Sequence, residues 1–258
     1  MRLMKRILSA AAVLALSASL LVGCSSGTAS SVPVSASSAA ESTVSSVEET
    51  ASSAVDENEA AAAQLLNDLT GSYQELWPVI LADEYKQTWL DDCTALVGED
   101  NAEAAFEKLS SMVTGDVYGE DAVEAYANGG GAYFCGFAND LATLTFDGET
   151  STISGTDKDG NVLFSHTYHY IGMEPVHELY EFESDDADSG EFTYFFLAPD
   201  TSAETYHIEF RYGSDAEALS QYDAGEYAYW VASGISTDCD QTMIDNCIEL
   251  FCTENLAG

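Results

Sequence analysis

The sequence predicts an α+β fold that is mostly β, with helices first, then a small antiparallel barrel or sandwich, and a closing helix. Two patterns lead to this prediction. Apolar residues recur at helical spacing in the first part of the folded region, up to the glycine run at Asn128–Gly131. Beyond that run, short β-rich segments alternate with polar turns, and a last helical pattern covers Cys239–Phe251.

The first helical pattern consists of apolar residues that lie three or four positions apart. They are Leu65, Leu66, Leu69, Tyr73, Leu76, Trp77 and Ile80, followed by Tyr85, Trp89 and Leu96. Gly71 interrupts this helix and Pro78 kinks or restarts it. Asn101 is suited to cap a second helix that continues to Met112, and a short helix over Glu120–Tyr126 ends at the glycine run.

About seven segments rich in β-branched and aromatic residues follow. They are Tyr133–Phe137, Ala142–Phe146, Thr150–Ser154, Val162–Tyr170, His177–Glu183, Phe192–Leu197 and Thr205–Tyr212. The dipeptide Asp159-Gly160 is typical of a two-residue hairpin turn. The acidic segment Asp185–Gly190 lacks the spacing of a calcium-binding loop, so we interpret it as an exposed hairpin loop.

The N-terminus has the pattern of a bacterial lipoprotein signal. Three of the first six residues are basic, and an apolar run then ends in Leu21-Val22-Gly23-Cys24. The run is too short and wrongly flanked for a transmembrane span. We therefore expect residues 1–23 to be a signal peptide and Cys24 to be the lipidated first residue of the mature chain. An ordinary secretory signal is the alternative, and either signal predicts a location outside the cytoplasm.

Residues 24–61 are predicted to be a disordered tether, because Ser, Ala, Thr, Val and Glu without aromatic residues bury too little apolar surface. A helix that starts near Glu57 is the alternative for the end of this segment. Residues 62–258 contain the aromatic residues and predict one domain with a sizeable core.

The chain is strongly acidic, with 45 acidic and 7 basic residues and a formal net charge of −38. Three of the basic residues and no acidic residue lie in the predicted signal, so the mature chain would carry −41. This charge excludes binding to a nucleic-acid backbone and disfavours anionic substrates. It favours a cationic partner such as a metal ion, although solubility alone would also account for it.

Besides Cys24 the chain has an odd number of cysteines. They are Cys93, Cys135, Cys239, Cys247 and Cys252. A location outside the cytoplasm permits disulfides, and no C-x-x-C motif points to redox chemistry or a zinc knuckle. The sequence leaves open whether one disulfide forms or all five are buried thiols.

Metal binding is the chemistry that the residues support best. Side chains two apart on a strand share a face, so His207 and Glu209 can bind one ion, and an imidazole with a carboxylate suits zinc or a neighbouring divalent metal. Either His166 or His169 could be a third ligand, but not both, because they face opposite sides. The other interpretation of His207 is a rim histidine beside one of many acids. Since imidazole binds metal only when neutral, we expect affinity to fall below about pH 6.5.

No motif of a catalytic nucleophile, metalloprotease, P-loop or dinucleotide fold occurs, so we expect no enzyme. Several segments between Asn67 and Phe251 do match a known family in order and spacing. They are Asp68–Tyr73, Leu76–Ile80, Tyr168–Gly172, Leu197–Pro199 with His207 and Gly213–Asp215, and Asp223 with Tyr227, Tyr229 and Trp230. Through these segments the chain resembles the ZinT (YodA) family of extracytoplasmic zinc-binding proteins, which also occurs fused to zinc-uptake lipoproteins.

The resemblance implies a calycin-like fold, a lipocalin-type barrel with added helices, and a zinc site of three histidines. His207 matches the first histidine of the family's H-x-H segment, and Glu209 stands where the second should be. The third falls near Phe195 or in a gap. The resemblance therefore implies either an altered, weaker metal site or a fold that has lost its metal site.

Together these observations predict a lipid-anchored extracytoplasmic protein that binds a divalent metal, with zinc as the expected ion. Its role would be metal capture or delivery to an uptake transporter at the membrane, with no nucleic-acid partner. The alternative is a calycin-like barrel that binds a small apolar or aromatic ligand, lined by some of the 14 Tyr and 11 Phe residues.

Overall fold

The computed structural model describes residues 57–113, 115–198 and 207–256. These residues form a closed barrel of eight antiparallel strands with helices before and after it. The predicted fold class is therefore confirmed, and the sheet is a barrel rather than a sandwich. The predicted signal peptide, Cys24 and most of the predicted tether lie outside the described residues. Within the described ranges, no helix has the length and apolar character needed to cross a membrane.

The helices and strands follow one another with short connections. The helices are α1 (residues 57–68), α2 (Leu76–Ile80), α3 (Lys86–Val97), α4 (Glu99–Val113), α5 (Glu120–Ala127), α6 (Ala216–Leu219) and α7 (Gln241–Leu256). The strands are β1 (Gly71–Glu75), β2 (Thr143–Asp147), β3 (Thr152–Thr156), β4 (Val162–Glu174), β5 (Leu179–Ser184), β6 (Tyr194–Leu197), β7 (His207–Gly213) and β8 (Ala232–Ser236). Each strand pairs with the next and β8 pairs with β1, which leaves no open sheet edge. Helix α1 includes the last residues of the segment predicted as a tether, in agreement with the alternative of a helix from near Glu57.

Three elements differ from the prediction. Gly71–Glu75, predicted as helical, forms β1, because Gly71 has a φ of 145° that ends the preceding helix and leads into pairing with β2 and β8. Ala232–Ser236 forms β8, for which no strand was predicted. Tyr133–Phe137, predicted as a strand, forms only one isolated bridge, between Phe134 and Trp230.

Aromatic side chains fill the interior of the barrel. On β7, Ile208, Phe210 and Tyr212 point inwards, and the ring centroids of Phe210 and Tyr212 lie 6.4 and 5.3 Å from that of Phe195 on β6. The ring of Phe164 on β4 lies 5.9 Å from Phe195 on the same inner side. Contacts of this kind are those of a packed core, so these aromatic residues serve ordinary barrel packing.

Helices α2, α3 and α7 form a layer outside the barrel. The Phe251 ring of α7 lies 4.8 Å from Trp77 of α2 and 5.7 Å from Trp89 of α3. The indole Nε1 of Trp89 donates a 2.6 Å hydrogen bond to the carbonyl of Ile80. Helix α2 contacts β8, and the outward-facing residues of β8 and its neighbour β7 are buried although several of them are polar or charged.

Candidate metal site

His207 and Glu209 lie on the outer face of β7, together with Arg211. They alternate along the strand with the inward-facing Ile208, Phe210 and Tyr212, because successive side chains of a strand point to opposite faces. His207 is 1% exposed and Glu209 is 2% exposed. Across the sheet, His207 pairs with Ile235 and Glu209 pairs with Ser233 of β8. The two residues therefore share one face, and both are buried rather than exposed at a barrel rim.

Burial controls the protonation of His207. Because a buried imidazolium loses its hydration, burial lowers the pKa of His207 to about 3. The imidazole is therefore neutral, and able to bind a metal, far below the pH of about 6.5 at which an ordinary histidine would become charged. The expected loss of metal affinity below pH 6.5 does not follow for this buried residue.

Two buried thiols lie near the carboxylate of Glu209. Burial raises the pKa of the Cys135 thiol, Glu209 raises it further, and contacts with Ser233 and Trp77 oppose the rise. Burial raises the pKa of Cys247, on α7, to about 12, and Glu209 adds to that rise as well. Both thiols are therefore protonated at neutral pH. Sequence reasoning missed these neighbours, because Cys135 and Cys247 lie in different segments and no spacing motif joins them to β7.

The other two predicted ligands, His166 and His169, lie on β4, and the strands β5 and β6 separate β4 from β7. His166 Nδ1 lies 2.6 Å from Asp186 Oδ2. His169 Nδ1 lies 2.8 Å from Asp185 Oδ1. Each imidazole thus has its own carboxylate near the β4–β5 connection, and the structure does not bring either histidine to His207.

The donor types on the outer face of β7 fit zinc, which binds imidazole nitrogen, carboxylate oxygen and sulfur. The number of ligands, however, falls short of a zinc site. Within residues 57–113, 115–198 and 207–256, no group of three or more His, Cys, Asp or Glu is arranged to hold a metal ion. Phe195, near which the resemblance put a third ligand, is fully buried among the rings inside the barrel. His207 and Glu209 are thus a two-donor pair.

Arg211 continues the same face but has a structural role. Its guanidinium donates hydrogen bonds to the carbonyl oxygens of Leu219, Gln221 and Tyr227. Its Cζ lies 4.2 Å from the ring centroid of Tyr222. These contacts hold the loop after α6 against β7. The guanidinium is therefore occupied by backbone carbonyls and the Tyr222 ring and is not presented to an anion.

A cleft of about 360 Å³ opens beside this face, between α2 and the segment 134–136. Apolar side chains line most of it, and Glu75 and Asp116 add two carboxylates. Cys135 also lines the cleft, and it is the residue whose thiol lies near Glu209. Through Cys135 the cleft comes close to the carboxylate of Glu209.

Comparison with known proteins gives structural neighbours only. No protein-family model and no curated protein matches the sequence. The structure is similar to the Zn(II)-bound ZinT-like domain of Streptococcus pneumoniae AdcA, with 17% identity, 71% of this chain and 89% of that chain covered, and a TM-score of 0.44. It is also similar to Zn(II)-bound AdcA from Streptococcus pneumoniae, with 18% identity, 72% of this chain covered and a TM-score of 0.41. The chain spans only 35% of that longer protein. The ZinT-like domain bears the name of the family that the sequence segments resemble.

Proposed function

We propose that this chain is a lipid-anchored extracytoplasmic protein that binds a divalent metal ion, zinc above all, at His207 and Glu209. In this proposal residues 1–23 are removed, Cys24 carries the lipid, and the segment up to about residue 61 links the anchor to the domain. The protein captures the metal or delivers it to an uptake system at the membrane, and it catalyses no reaction.

The observation that carries the proposal is the buried His207–Glu209 pair on the outer face of β7. A neutral imidazole and a carboxylate two residues apart are a suitable start for a zinc site. Burying a carboxylate is costly, and a bound cation would offset part of that cost. The nearby cleft, with its two carboxylates, supplies a route of the right charge for a cation.

The test is a calorimetric zinc titration of the parent and of three variants at two salt concentrations. His207→Ala and Glu209→Gln should each weaken binding at least tenfold, which corresponds to about 1.4 kcal/mol. The matched control is His169→Ala, which removes an exposed histidine on β4 and should leave the affinity unchanged. Circular dichroism and the melting temperature report whether each variant keeps its fold.

The same experiment separates the pair from the acidic surface. Binding by surface charge alone would be weak, would fall with added salt and would not respond to His207→Ala. Equal zinc affinity in the parent and in both folded pair variants would overturn the proposal. A small-ligand protein would then be the better interpretation, with the apolar cleft next to Cys135 rather than the filled barrel interior as its binding site.

A further inference from the structure

We propose that Cys93 and Cys252 form a disulfide that ties helix α3 to the C-terminal helix α7. The two sulfur atoms lie 3.9 Å apart and are separated by 159 residues along the chain. Both side chains are fully buried. A disulfide has an S–S distance of about 2.05 Å, so each sulfur needs to move by only about 1 Å.

The packing around the two thiols holds them against each other. Cys93 lies one turn after Trp89 on α3, and Cys252 directly follows Phe251 on α7. The rings of Trp89 and Phe251 meet edge to face at 5.7 Å, and Trp89 also contacts Phe106 of α4 at 5.6 Å. Because these large buried side chains fix the relative position of α3 and α7, the native fold itself brings the two sulfur atoms together.

The remaining cysteines have other surroundings. Cys135 contacts the backbone carbonyl of Tyr133 and lies near Ser233 beside the barrel. Cys247 lies near Glu209 and Cys239, on the part of α7 that faces β7. One disulfide between Cys93 and Cys252 therefore leaves the domain's other three cysteines as thiols.

The bond forms by two thiol–disulfide exchanges with a disulfide oxidant, for which glutathione disulfide serves in the test. The Cys252 thiolate attacks the oxidant, forms a mixed disulfide and releases one glutathione. The Cys93 thiolate then attacks the Cys252 sulfur and releases the second glutathione. The protein loses two protons and two electrons, and the oxidant is reduced to two thiols.

We expect these exchanges to occur while the chain folds rather than in the folded protein. Burial raises the pKa values of both Cys93 and Cys252, so the reactive thiolate is rare once α7 has packed against α3. The oxidant is also excluded from fully buried sulfur atoms. We therefore expect the disulfide to form within the refolding time and only slowly in the folded, reduced protein.

Peptide mapping of the full chain gives the direct test. The protein is refolded with reduced and oxidised glutathione, alkylated under denaturing conditions and cleaved after glutamate. Cleavage isolates Cys93 in peptide 85–99, Cys252 in peptide 250–254, and Cys239 with Cys247 in peptide 227–249. The expected result is a peptide 85–99 disulfide-linked to peptide 250–254, with two fewer alkylated thiols than in the reduced protein.

Thermal unfolding supplies the second readout. Reduction should lower the melting temperature of the parent by about 5–15 °C, because the bond closes a long loop. Cys93→Ala should show no such dependence on reduction, whereas Cys239→Ala, the matched control, should keep it. Free Cys93 and Cys252 in the refolded parent, or a linkage of either one to another cysteine, would overturn the proposal even if the variants failed to fold.

Discussion

At the scale of single residues, Glu174 shows how the fold accommodates a buried carboxylate. It lies at the end of β4 and is 1% exposed. Its two oxygens accept hydrogen bonds from the backbone amides of Val176 at 2.9 Å and His177 at 2.6 Å. The Nδ1 of His177 lies 3.2 Å from Glu174 Oε2 and is the third polar contact of this carboxylate. Burial raises the pKa of Glu174, but these bonds outweigh burial and lower the pKa below its ordinary value of 4.5.

The first prediction concerns Glu174→Gln and acid stability. A folded-state pKa below the unfolded value contributes stability that is complete above about pH 4.5 and is lost as the pH falls through the folded pKa. The amide cannot accept all three bonds, so the variant should lose about 1–3 kcal/mol at pH 7. Urea unfolding at pH 7 and at pH 3.5 checks this, and the difference between parent and variant should shrink at the lower pH.

Glu149→Gln is the control for this prediction. Glu149 is an exposed glutamate in the β2–β3 turn, so its replacement should change the urea midpoint little at either pH. A constant difference between the parent and Glu174→Gln at both pH values would mean that the ionised carboxylate does not stabilise the fold.

At the scale of the elements, two glycines lie beside register shifts in neighbouring strand pairs. The β3–β4 register shifts between Gly155 and Thr156, and the β4–β5 register shifts between Tyr170 and Gly172. A Cβ atom on Gly155 would lie 2.4 Å from Leu141 Cδ1 and 2.4 Å from Phe164 Cε1. On Gly172 the nearest atom would be Glu181 Oε2 at 3.4 Å, an ordinary contact.

The second prediction compares Gly155→Ala with Gly172→Ala. The Phe164 ring stacks on Phe192 at 4.0 Å and is buried, so it cannot move away from a new methyl group. Gly155→Ala should therefore destabilise the barrel by about 1–3 kcal/mol, whereas Gly172→Ala should change stability by less than about 0.5 kcal/mol. Guanidinium unfolding measures both. Equal effects of the two changes would mean that the interior next to Gly155 has room for a side chain.

The elements also show what the sequence can predict. Strands β2 to β7 alternate side chains between a packed interior and an outer face, and their pattern is visible without a structure. β1 was hidden because Leu69, Tyr73, Leu76 and Ile80 keep helical spacing through a strand. β8 was hidden because Ala232 and Gly234 give little β signal, and tertiary packing sets their conformation.

For the candidate site too, the sequence predicts the local relation and misses the long-range contacts. A period of two correctly predicted that His207 and Glu209 share a face, since that relation is local to one strand. The burial of the pair, and the closeness of Glu209 to Cys135 and Cys247, depend on how α7 and the segment 134–136 pack against the outside of the barrel. Such contacts join residues far apart in the chain, and no local pattern records them.

At the scale of the whole molecule, the distribution of charge is extreme. After residue 23 the chain has four basic residues, of which Lys86, Lys108 and Lys158 are exposed and Arg211 is buried. The surface of the described residues therefore carries three positive side chains among many carboxylates. Such a field raises the local concentration of cations and repels anionic membrane surfaces. The protein would not stay at an anionic membrane through its own surface.

The last prediction is that Cys24→Ala releases the protein from the membrane fraction or leaves its signal unprocessed. Several acyl chains hold a protein at a bilayer durably, whereas a chain of charge −41 without them has no attraction to the membrane. Fractionation of cells and the intact mass of the product measure the outcome, with Cys239→Ala as a control that keeps its lipid and its location. A Cys24→Ala protein that is processed, acylated and membrane-bound like the parent would contradict the lipoprotein interpretation. A protein that is exported, cleaved and soluble in both parent and variant would instead identify an ordinary secretory signal, and the folded domain would then act free of the membrane.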